Sequence, residues 1–144
     1  MKSLWLFPIL FVACAVVLLA GGCSAILYEK TPEKTRIVAA PFGSTERTPK
    51  FKHGEEKPSG HVIWGKDVND GARCSIVISN VSLSRMVYRH DFIYRKDAVH
   101  DGFNYFPGPI LELNPLWYRK VGAFLVALYV NNERISTDSF AILP

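Results

Sequence analysis

Cysteine is scarce in this chain: among 144 residues there are three, Cys14, Cys23 and Cys74. An odd and widely spaced set excludes a disulfide-stapled scaffold. A sustained apolar period of 3.6 residues is missing beyond the N-terminal segment, which excludes a bundle of long helices. The short signatures of enzymes are missing too. No G-x-S-x-G surrounds Ser75, Ser79, Ser82 or Ser84, no glycine-rich loop is spaced to cradle phosphate, and no His-Glu helix motif occurs. Acid–base or metal chemistry is suggested by the repeated pairs His90-Asp91 and His100-Asp101 alone. Neighbours on a strand point to opposite faces, so His90 and Asp91 would not share one ligand sphere there. No catalytic residue, no metal and no cofactor is therefore expected.

Charge of one sign is not in large excess either. There are 17 basic and 13 acidic residues, a formal charge of +4 and a pI of about 9.0. The basic residues are scattered among acids, so no nucleic-acid partner is expected. Anionic headgroups, surface polysaccharide or plain solvation account for the excess.

What is present begins at the N-terminus. Lys2 precedes an apolar run from Leu4 to Leu19, followed by Ala20, Gly21, Gly22 and Cys23. Charge, apolar stretch and small residues in that order build a secretory signal. Lys2 and the free amino terminus hold the start at the cytoplasmic face. The small residues and Cys23 resemble the lipobox of bacterial lipoproteins, with Ala20 where that family usually has Leu, and Leu18 and Leu19 just upstream. The resemblance implies that residues 1–22 are removed and that Cys23 is acylated, so that the membrane is a partner through its acyl chains. Ser24 stands where an aspartate would signal inner-membrane retention in enteric bacteria. An outer-membrane location is thus favoured, facing the periplasm or the cell surface. Two other readings compete: an uncleaved anchor, since the run falls a little short of the ~20 residues that span a bilayer, and ordinary cleavage after Ala25. With Cys23 acylated, Cys74 has no intramolecular partner and belongs in the core as a small apolar residue. A Cys23–Cys74 bridge is the alternative if Cys23 keeps its thiol.

Residues 23–60 contain Pro32, Pro41, Pro49 and Pro58, interspersed charges and little apolar content beyond Ile37–Ala40, Phe42 and Phe51. Such a stretch buries too little surface to offset its ordering entropy, and a flexible tether is expected. Ile37–Ala40 as an edge strand is the alternative. From residue 61 the pattern is that of strands. His61–Trp64 is short and apolar, and Asp67–Gly71 is a turn cluster. Over Ala72–Asn80, Cys74, Ile76 and Ile78 alternate with Ser75, Val77 and Ser79, the period of a half-buried strand. Met86–Arg95 alternates likewise, with Met86, Tyr88, His90, Phe92 and Tyr94 on one face. Ile110–Leu113 is a short strand, and Ala123–Val130 is apolar on both faces, as a central strand requires. Asn131-Asn132 predicts a tight turn, because Asn tolerates positive φ.

Gly122-Ala123-Phe124, the apolar strand to Val130, the Asn-Asn turn and a closing strand to Leu143 resemble the last hairpin of immunoglobulin-like β-sandwiches. The resemblance implies an all-β fold for residues 61–144, a small immunoglobulin-like antiparallel sandwich, and no activity. The loop Asp101–Arg119 concentrates Phe103, Tyr105, Phe106, Trp117 and Tyr118 among prolines and glycines. Aromatics so placed anchor a protein partner or stack on sugars; the alternative is that they cap the open end of the sandwich. The expected function is a structural, assembly or protein-binding envelope lipoprotein. Glycan or peptidoglycan binding through those aromatics is the second reading.

Overall fold

The computed structural model describes residues 31–100, 103–104 and 108–144, and of 99–100 and 103–104 the backbone alone. The signal segment 1–22 and Cys23 lie outside the described residues. The strands in chain order are β1 Arg36–Pro41, β2 Lys50–Lys52, β3 Pro58–Ile63, β4 Arg73–Asn80, β5 Arg85–Ile93, β6 Val99–His100, β7 Phe103–Asn104, β8 Ile110–Glu112, β9 Gly122–Val130 and β10 Glu133–Leu143. Among the described residues the helical pieces are two single 3-10 turns, Lys96–Ala98 and Trp117–Arg119.

A six-stranded sheet runs in the order β2-β10-β9-β4-β5-β8. Its pairs are antiparallel except β2 with β10, which is parallel. β9 sits in the middle, and Val126, Ala127 and Leu128 are buried in succession, the mark of a strand covered on both faces. β4 follows the predicted alternation, burying Cys74, Ile76 and Ile78. The β9–β10 turn also forms as predicted. Val130 pairs with Glu133, and Asn131 and Asn132 hold φ of 50° and 68°, the left-handed pair that a two-residue hairpin matched to strand twist needs.

β5 departs from simple alternation. Ile78 pairs with Tyr88 but Ser79 with Met86, so Val87 is an extra residue, a β-bulge. The bulge brings Val87 into the core, although its sequence parity places it on the face opposite Tyr88 and Phe92.

The tether expected over residues 23–60 is corrected from residue 32 onward. The segment 32–144 is one compact unit. β1 and β3 pair in register from Arg36 with Ile63 to Pro41 with Pro58, forming a second layer. Ile37, Ala39, Ala40, Phe51 and Pro58 are buried. The prolines do not prevent this, because Pro41 ends β1 and Pro58 begins β3, where a missing ladder donor is tolerated. β3 lies close over β9: a Cβ on Gly60 would stand 2.8 Å from Ile37 Cδ1 and 2.9 Å from Val126 Cγ2. Few apolar side chains suffice here because Ile37, Ala39, Ala40 and Phe51 are almost fully covered, while Phe42, just past the end of β1, stays in solvent.

Polar side chains of β10 complete the second layer. Ser136 Oγ accepts from the Ile37 amide at 3.0 Å and Asp138 Oδ2 from the Ala39 amide at 2.9 Å. Arg47 donates to the two oxygens of the same carboxylate through Nε at 2.9 Å and Nη2 at 2.8 Å. Burial disfavours charge on Asp138, but Arg47 and the Ala39 and Ser139 amides outweigh it and hold its pKa below the ordinary value. At the start of β1, Thr35 donates through its amide and its hydroxyl to Asp67, at 2.8 and 2.6 Å, and accepts from the Gly65 amide at 2.9 Å. The fold is thus a small all-β sandwich. Immunoglobulin domains of the constant type divide their strands four and three; here the two layers hold six and two.

Candidate functional site

One end of the six-stranded sheet carries the connections β4–β5 and β8–β9, and both turn apolar residues outward. In the first, Asn80 is buried and its Oδ1 accepts from the Leu83 amide at 3.0 Å, while the Val81 amide donates to the Ala123 carbonyl at 2.9 Å. Ser84 closes the turn with φ 48°. Two anchored ends force the residues between them outward, and Leu83 is 62% exposed. In the second connection, Asn114 Oδ1 accepts from the Leu116 amide at 3.1 Å, an Asx-turn, and the Asn114 carbonyl accepts from the Trp117 amide at 2.9 Å. The 3-10 turn that follows carries Trp117 inward and leaves Leu113, Leu116 and Val121 at 51%, 49% and 53% exposure.

Between the two connections lies a cavity of about 220 Å³. Its apolar lining comes from Leu83, Met86, Val87, Leu113, Pro115, Trp117 and Phe124, and its polar lining from Asn80, Asn114, Arg85 and Lys120. No carboxylate, imidazole, thiol or hydroxyl side chain lines it among the described residues. The cavity can bind an apolar group and donate hydrogen bonds from Arg85, Lys120 and the two asparagines. The indole Nε1 of Trp117 is buried and has no hydrogen-bond partner among the described residues.

A second, more open cavity of about 370 Å³ lies near the other end of β4 and β5, beside Arg73, Ser75, Arg89, Asp91, Pro109 and Asn132. Asp91 accepts from Ser75 Oγ at 2.6 Å and from Arg89 Nε at 2.7 Å. The Ser75 hydrogen bond, then Arg89, lower the Asp91 pKa against its partial burial. His90 is on the opposite face, its ring 5.5 Å from that of Phe92. A serine that donates to a carboxylate with no imidazole alongside is not an activated nucleophile. Cys74, which also borders this cavity, is pushed up to about 11 by burial, the condition of an inert thiol. Among the described residues no three His, Cys, Asp or Glu side chains converge as metal ligands.

The predicted aromatic cluster divides. Trp117 is corrected from exposed anchor to core: it is 1% exposed, with ring centroids 5.5 Å from Phe124 and 6.4 Å from Phe140. Tyr118 is half-buried, edge-on to Trp117 at 6.0 Å, with Lys57 Nζ 5.3 Å from its ring centroid. Lys57 also pairs with Glu112 at 2.8 Å. Phe103 is in β7, where its backbone pairs with His100. Tyr105, Phe106 and the proposed lipidation site Cys23 lie outside the described residues. The exposed apolar residues at this end, Leu83, Leu113, Leu116 and Val121, and the exposed cations Arg85 and Lys120 are not among the residues singled out from the sequence. The available signal was an apolar residue, Leu83, inside a tight turn that has no core to face. No protein-family model, no curated protein and no solved structure matches this chain.

Proposed function

We propose that this chain is an exported, lipid-anchored, protein-binding module of the cell envelope, held to the membrane by acyl chains on Cys23. The observation that carries the binding part is the exposed apolar surface of Leu83, Leu113, Leu116 and Val121 around a cavity lined by Trp117. Leu83 and Leu113 line the cavity itself, and exposed apolar side chains gathered at a hollow suit a contact site.

The second reading, glycan binding through aromatics, draws little support from Trp117, which is in the core, and Tyr118, which is half-buried beside Lys57; the side chains of Phe103, Tyr105 and Phe106 lie outside the described residues. The test is co-purification from detergent-solubilised membranes of the full chain and of Leu83→Ser/Leu116→Ser. The wild type should retain an envelope protein in stoichiometric amount and the double variant should lose it with an unchanged thermal melt. Equal retention by both, or retention of cell-wall material instead, would overturn the proposal.

A further inference from the structure

We infer that the cavity between the β4–β5 and β8–β9 connections receives one apolar side chain from an acidic segment of the protein partner. The inference rests on the reading of this end as the docking surface, and it adds the chemistry of what docks.

Size comes first. At about 220 Å³ the cavity is smaller than the ~300–1,000 Å³ typical of sites for whole small molecules. It suits a single inserted side chain, the form that dominant contacts in protein interfaces take. Its apolar walls, Met86, Val87, Trp117 and Phe124, match an aliphatic or aromatic group.

Charge comes second. Arg85 and Lys120 line the cavity, both are exposed, and neither forms an ion pair among the described residues. Glu112 on the neighbouring β8 is already taken by Lys57 at 2.8 Å, so it does not neutralise this rim. Two uncompensated cations beside an apolar hollow complement carboxylates that flank an apolar anchor.

An anionic bilayer would also suit exposed leucines and cations, but it offers no discrete side chain to a hollow of this size.

The experiment uses the full chain in phosphatidylcholine nanodiscs and two labelled hexapeptides, each with a central Leu-Phe pair. One is flanked by two acidic residues on each side and the other by two lysines on each side. Fluorescence anisotropy should show saturable binding of the acidic peptide at least tenfold tighter than its lysine counterpart. Arg85→Glu/Lys120→Glu should abolish that preference while the thermal melt is unchanged, since both side chains are in solvent. Equal binding of the two peptides would overturn the acidic inference and leave the docking surface standing. Clustering of phosphatidylglycerol vesicles by the wild-type chain, without peptide binding, would overturn it in favour of a membrane. Failure of both probes, with the membrane co-purification still dependent on Leu83 and Leu116, would overturn it while that reading survives.

Discussion

Asp138→Ala tests whether residues 36–63 are a structural layer or a strap that rests loosely on the sheet. In the wild type the Asp138 carboxylate accepts from the Ala39 amide at 2.9 Å and from Arg47 at 2.9 and 2.8 Å, and Ala39 is fully buried. Alanine leaves that amide with no acceptor, at a cost of ~1–3 kcal/mol, and the bond lost is a charge-assisted one, toward the upper half of that range. The Arg47 end of the pair is in water and is screened by salt, so Arg47→Ala should move the melting temperature far less. For a domain of about a hundred residues, each kcal/mol is ~4–8 °C in Tm, so Asp138→Ala should melt roughly 10–20 °C lower. Asp138→Asn keeps an oxygen for the Ala39 amide and should fall between the two. The assay is thermal unfolding of the detergent-solubilised chain followed by far-ultraviolet circular dichroism. pH gives an independent check. Because the folded-state pKa of Asp138 is lowered, its contribution is fully present above the unfolded value of ~3.9 and is lost as pH falls through the folded one. The wild type should therefore lose stability below about pH 4 more steeply than Asp138→Ala. An Asp138→Ala variant that melts with the wild type would refute the two-layer account and restore the tether.

The other predictions concern single positions. Trp117→Ala should lower stability by ~3–5 kcal/mol, the cost of a large buried aromatic, and a melt within error of the wild type would put the ring back on the surface. Cys74, buried with its pKa raised to about 11, should resist iodoacetamide at pH 8 in the native chain and react only after denaturation. Rapid native alkylation would contradict that burial. Cys23→Ser should leave the chain unprocessed and without acyl mass by intact mass spectrometry; wild-type chain that starts at Ile26 or keeps Met1 would sink the lipid anchor.

What could be read from the sequence was what depends on near neighbours. The β9–β10 hairpin rests on two adjacent asparagines that accept positive φ and on a strand apolar on both faces, and both signals are local. The alternation of β4 is likewise its own. Val87 was not legible, because a bulge is a property of the pairing: it appears only when β5 is laid against β4. The second layer was hidden for a related reason. Ile37 and Ala39 each find a side-chain acceptor 99 positions away. Ser136 and Asp138, the acceptors, occupy inward-facing positions of β10 in series with Phe140 and Ile142. Taken alone they read as polar interruptions of a buried face, and β1 taken alone reads as too short to fold. Each supplies what the other lacks.

The candidate site shows the same dependence in reverse. Rings in a Pro/Gly-rich loop look like anchors, and leucines look like core, because aromatic side chains carry the larger payload in interfaces. Here Trp117 belongs to the core while Leu116, its neighbour in the chain, is half exposed. Trp117, against Phe124 at 5.5 Å and Phe140 at 6.4 Å, is the largest fully buried side chain among the described residues. The 3-10 turn that carries it inward leaves Leu116 and Val121 facing outward, so the buried ring and the exposed aliphatic side chains come from one short connection.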